Sequence, residues 1–208
     1  MKTLLCFGDS NTWGSIPMAD RDDIRRFGSA QRWPGVLQRQ LGAEWQVIEE
    51  GLPGRTMARD DPVEGADRNA LRYLQPCLQS HRPLTTVAFM LGTNDLKARF
   101  GASAEQIAEG LHTLIDLTYQ NTAPGLPSPR ILIICPPSIV EVGWLGDMFA
   151  GGAAKSQQLA LHYRRVATQR GVAFLDAGGY ISASTIDGIH LDELAHAQLG
   201  AAVAQALI

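Results

Sequence analysis

The sequence carries only three cysteines, Cys6, Cys77 and Cys135. No two of them stand in a C-x-x-C pair, which excludes a disulfide framework and the usual thiol redox and zinc motifs. Cys6 and Cys135 lie in apolar runs and are expected to be reduced core thiols. Charge of one sign is also missing: 18 Lys+Arg stand against 21 Asp+Glu, a formal net charge of -3. Without a basic field the chain has no means of attracting phosphates, and nucleic acid is not an expected partner. Long hydrophobic runs are absent. The apolar stretch after Lys2 covers Thr3 to Phe7, short of the roughly 7–15 residues of a signal h-region and of the roughly 18–20 of a membrane span. A cytoplasmic protein with no membrane partner is the expectation. Neither G-x-x-x-x-G-K-[ST] nor G-x-G-x-x-G occurs, so the nucleotide-binding loops are lacking too.

What is present is an ordinary globular composition, 45% hydrophobic and 19% charged over 208 residues. That hydrophobicity excludes disorder, and the length suits one domain spanning 1–208 at roughly 100–200 residues per domain. Continuous apolar runs at Thr3–Phe7, Thr85–Leu91 and Ile131–Cys135, with weaker ones at Trp45–Glu49 and Val172–Leu175, read as buried strands. Helical patterns alternate with them. Pro34 suits the first turn of a helix bearing Val36, Leu37 and Leu41. Ala66–Gln75 reads as a helix that Pro76 should end or kink. Ser103 and Gln106 form a capping box for a helix whose inner face is Ile107, Leu111, Leu114, Ile115 and Thr118. Gln157–Gln169 and Glu193–Leu207 complete the set. Alternation of β and α predicts an α/β sandwich around a doubly wound parallel sheet.

Chemistry in such sheets collects on the loops after the strands' carboxyl ends. Ser10 follows the first strand, and a serine hydroxyl becomes nucleophilic only with a base beside it. His190 can be that base, with Asp187 three residues earlier to accept from its other ring nitrogen. Asn94 after the third strand and Gly54 after the second can donate to a developing oxyanion. Singly, each has a plainer role as a cap, turn or surface residue. Asp187, His190, Asp192 and His196 also cluster in sequence, but no H-E-x-x-H is present. The six-residue spacing of the histidines puts them on different helix faces, so no metal is expected.

Together the blocks Gly8-Asp9-Ser10, Gly54, Gly92-Thr93-Asn94-Asp95 and Asp187-Gly188-Ile189-His190 resemble those of the SGNH (GDSL) hydrolases, and the likeness runs from residue 4 to about 200. The G-x-S-x-G elbow of the α/β-hydrolases is missing. The resemblance implies a flavodoxin-like three-layer α/β/α fold on five parallel strands. It implies Ser10 as nucleophile, His190 as base, Asp187 as its orienting partner, and an oxyanion hole of Ser10 N–H, Gly54 N–H and Asn94. The stretches Phe7–Gly14, Glu49–Leu52 and Met90–Asp95 are similar to bacterial arylesterases. That implies hydrolysis of short aryl and alkyl esters without a cofactor, acyl transfer to alcohols or peroxide as a side activity, and a homo-oligomer. A carbohydrate O-acetylesterase and a non-catalytic binding module are the alternatives. Asn11 stands where the family consensus has Leu, and Asn11 and Ile189 are the expected substrate contacts.

Residues 136–155 read as a long irregular loop, with Trp144, Leu145, Met148 and Phe149 interrupted by glycines. Loops that long and apolar wall pockets or join subunits, which sets the expectation here.

Overall fold

A computed structural model describes residues 1–207. Five strands, β1 (Lys2–Gly8), β2 (Trp45–Gly51), β3 (Thr86–Met90), β4 (Arg130–Cys135) and β5 (Ala173–Asp176), pair in parallel in the order β2-β1-β3-β4-β5. This is the flavodoxin-like order, whose direction reverses between β1 and β3 and leaves a crevice there. Gly8 pairs with Gly51 on one side and Met90 on the other, so the loops after β1, β2 and β3 emerge side by side.

Strand alternation divides the core into two layers. Leu5, Phe7, Val87, Phe89, Ile131 and Ile133 face α3 (Ala70–Ser80), α4 (Ala104–Gln120) and α5 (Gly152–Arg170). Leu4, Cys6, Ala88, Met90, Leu132 and Ile134 face α2 (Trp33–Leu41) and α6 (Glu193–Leu207). Strands buried on both faces need no polar alternation. β2 stands at the sheet edge with its residues only half-buried, which is why its apolar signal is the weakest.

The predicted capping box is complete: Gln106 N–H donates to Ser103 Oγ, and Ser103 N–H to Gln106 Oε1. The helix expected at Ala66–Gln75 has other bounds. Ala66–Arg68 is a 3₁₀ turn, and α3 begins at Ala70, where the Asn69 side chain caps the N–H of Leu71. The helix then passes Pro76 and continues to Ser80. The missing N–H of Pro76 leaves the carbonyl of Arg72, on the exposed side, for water. Cys77 and Leu78 hold the last turn in the core. The 136–155 stretch is also more ordered than expected. Single 3₁₀ turns form at Gly143–Leu145 and Asp147–Phe149, and α5 starts at Gly152, ahead of the predicted Gln157.

Candidate active site

Ser10 opens α1 (Ser10–Trp13), a single turn directly after β1 that Asp9 caps by accepting the Asn11 N–H. At the far end of the chain, Ser184–Leu191 folds back over this turn. There His190 Nε2 lies 3.0 Å from Ser10 Oγ, and His190 Nδ1 lies 2.6 Å from Asp187 Oδ2. Asp187 is fully buried. Its Oδ1 accepts the backbone N–H groups of Ile189 and His190, and its Oδ2 that of Met18. Burial alone would raise its pKa, yet the hydrogen bonds from His190 and the backbone carry it below the ordinary carboxylate value. An ionised Asp187 keeps the imidazole proton on Nδ1 and leaves Nε2 as an acceptor toward Ser10.

Gly54 and Asn94 line the same cavity as Ser10 and His190. Gly54 adopts φ +78°, and a Cβ there would meet Glu64 Oε2 at 2.3 Å, so only glycine brings this N–H so close to the neighbouring loop. Neither the Ser10 nor the Gly54 N–H has a protein acceptor among the described residues. Asn94 Nδ2 donates one hydrogen to the Arg55 carbonyl, 3.1 Å away, which fixes the amide and leaves its second hydrogen for the cavity.

The cavity, about 600 Å³, has two characters. Trp144, Leu145, Met148, Phe149 and Ile189 make an apolar wall, so the turns of the 136–155 stretch do border the site. Arg21, Glu64, Lys97 and Arg99 also line it. Lys97 is almost wholly buried, with Nζ 2.5 Å from Glu64 Oε1, and Arg99 Nη2 donates to both Asp61 and Glu64 at 2.6 Å. Of the two expected substrate contacts, Ile189 lines the cavity and Asn11 does not. Asn11 is buried with both ends of its amide in use: Nδ2 donates to Ile189 O and Oδ1 accepts Leu191 N–H, each at 3.1 Å.

Three groups around the site have contacts to which the motif reading assigned no role. Arg55 is buried with its guanidinium 4.1 Å from the Phe7 ring centroid, and its Nη1 donates to the carbonyls of Gly8 and Glu50. It thereby ties the ends of β1 and β2 beneath the serine. Burial pushes the Asp95 carboxyl up to about 7, and its Oδ2 accepts Met57 N–H from the loop after β2. Burial likewise pushes Asp9 up to about 6, although the Asn11 N–H and the Arg55 charge oppose it. An arginine or aspartate inside a glycine-rich loop leaves no periodic trace in sequence, and only strand register brings these partners together. His196 stays apart from His190: it is buried, accepts the Trp33 N–H on Nδ1 at 3.2 Å, and burial lowers its pKa to about 4.

The sequence profile of the GDSL-like Lipase/Acylhydrolase family matches residues 6–198. No curated protein gives a significant match. Among solved structures, the native M. smegmatis aryl esterase superposes with a TM-score of 0.95 at 40% identity, covering 100% of this chain and 98% of that one. Est24, a carbohydrate acetylesterase from Sinorhizobium meliloti, superposes at 0.94 with 38% identity over 100% and 98% of the two chains. A G-D-S-L lipolytic family member from Veillonella parvula, 14% identical over 99% and 97%, shares the fold at a TM-score of 0.68.

Proposed function

The chain belongs to the GDSL-like lipase/acylhydrolase family and is a carboxylic ester hydrolase, and from that premise we propose that it cleaves short-chain aryl and alkyl esters through an acyl-enzyme on Ser10. The observation that carries this reading is the unbroken line from Asp187 through His190 to Ser10 Oγ, at 2.6 and 3.0 Å, opening on a cavity that Gly54 and Asn94 also line. Ser10 Oγ attacks the ester carbonyl carbon while its proton passes to His190 Nε2. The carbonyl oxygen becomes an oxyanion held by Ser10 N–H, Gly54 N–H and the Asn94 amide. The C–O bond to the alcohol then breaks, and the alcohol departs with the proton from His190. Water repeats the sequence on the acyl-enzyme and releases the acid, and an alcohol or peroxide in place of water gives acyl transfer. The apolar wall of Trp144, Leu145, Met148 and Phe149 suits a short uncharged acyl chain.

A second reading, an O-acetylated carbohydrate as substrate, is favoured by the charged side of the cavity. There Glu64, Lys97 and Arg99 offer donors and acceptors to a hydroxyl-rich leaving group. Exposed Val63, Val140 and Ile186, near the site in sequence, support self-association as part of the same proposal. The test is a p-nitrophenyl ester series run beside acetylated sugars, with sizing chromatography of the same preparation. Highest kcat/KM on short aryl esters, abolished in Ser10→Ala along with fluorophosphonate labelling, supports the first reading. Full activity in Ser10→Ala overturns the mechanism, and preference for acetylated sugars moves the assignment to the second.

A further inference from the structure

Away from the reactive serine, Cys77 on α3 and His81 at its C-cap stand four residues apart, the spacing that brings two side chains onto one helix face. Glu50, near the end of β2, faces them. The Cys77 Sγ, a His81 ring nitrogen and a Glu50 carboxylate oxygen all lie within 4.8 Å of one another, and His81 Nε2 is 2.8 Å from Glu50 Oε1. Cys77 is fully buried, whereas the His81 and Glu50 side chains are 27% and 21% exposed. The sulfur therefore closes the inner side while the other two donors reach solvent. A cleft of about 440 Å³, lined by Glu50, Tyr73 and Arg72, opens at Glu50.

We propose that Glu50, Cys77 and His81 bind one divalent cation of the zinc type, with water in the fourth position. The donor set makes the choice: calcium and magnesium take oxygen ligands, whereas thiolate and imidazole select zinc and its borderline-soft neighbours. Tetrahedral bonds of about 2.0–2.3 Å hold ligand atoms roughly 3.5 Å apart, and side-chain rotation brings atoms already within 4.8 Å to that spacing. Carboxylate and thiolate together neutralise the two charges of the ion. Burial first, and the Glu50 charge second, push the Cys77 thiol up to about 12, so the sulfur keeps its proton until an ion displaces it. On binding, the S–H bond is exchanged for an S–metal bond and the proton goes to solvent. Arg55 lies nearby, but its Nη1 is occupied by the Gly8 and Glu50 carbonyls, and its charge favours the thiolate.

Cobalt(II) is the probe, added to the tag-free full chain while thiolate-to-cobalt charge-transfer absorption is followed. The expected result is a band saturating at one equivalent, displaced by zinc and missing in Cys77→Ser. Affinity should weaken by roughly tenfold or more in Glu50→Gln and His81→Gln. Zinc should also raise the Tm of the wild type and leave that of Cys77→Ser unmoved. Unchanged ester hydrolysis by His81→Gln would show the fold intact, and His81 at the helix end decides the matter if Cys77→Ser fails to fold. No band in the wild type overturns the site. So does a band retained by Cys77→Ser, which would place the sulfur at Cys6 or Cys135, or full affinity in His81→Gln.

Discussion

The side chain of Asn11 donates to the carbonyl of Ile189, 178 positions further along the chain, at 3.1 Å. Its Oδ1 accepts the N–H of Leu191, so one amide brackets the residue between them, His190. Asn11→Ala leaves two buried backbone groups unpaired at about 1–3 kcal/mol each and frees the imidazole to move. Steady-state kinetics should show kcat falling by roughly tenfold to a hundredfold with KM little changed. A variant that raises KM alone would mean that Asn11 touches substrate instead.

Asn94→Ala removes the amide from the cavity and its hydrogen bond to Arg55 O. If that amide holds the oxyanion, kcat drops by roughly 10²–10³ in a protein whose circular dichroism is that of the wild type. An unchanged kcat would remove Asn94 from the hole.

Trp144 lies on the apolar wall beside Met148 and Phe149. Trimming it to Ala should deepen the acyl side, raising the ratio of butyrate to acetate kcat/KM on p-nitrophenyl esters by about tenfold. If that ratio holds steady, the acyl chain lies against another surface.

Burial raises the Asp95 carboxyl from its ordinary value of 3.8 to about 7. Between those values the folded chain keeps a proton that the unfolded chain has given up. The contribution of Asp95 to stability therefore falls as pH rises through that window. In Asp95→Asn the oxygen can still accept Met57 N–H, and the titration is gone. Urea melts should show the variant gaining on the wild type from about pH 4 to about pH 7, by on the order of a few kcal/mol. A difference independent of pH would mean that Asp95 keeps one charge state throughout.

The residues joined in the line Asp187–His190–Ser10 were legible because their motifs lie on the loops beyond strand ends, where β-α alternation already points. Asn11 illustrates the limit of that legibility. Its place beside Ser10 suggested substrate contact, whereas the fold spends its amide on a segment near the chain's other end. Pro76 shows a local rule overridden, since the packing of Cys77 and Leu78 outweighs one missing helix hydrogen bond. The contacts of Arg55 and Asp95 were silent because their partners, Gly8 and Glu50 for one and Met57 for the other, are set by strand register. The Glu50, Cys77 and His81 grouping was hidden for the same reason, as Glu50 joins a helical pair from another strand.

The contact between Ser10 and His190 spans 180 positions, and α6, which follows His190, packs on α2 near the start. During synthesis Ser10, the nucleophile of the proposed mechanism, therefore leaves the ribosome long before His190. If His190 is the base, a nascent chain ending short of residue 190 holds a serine no more reactive than any other. On the proposed mechanism, acylating power arrives only once the segment carrying His190 has docked on the turn carrying Ser10.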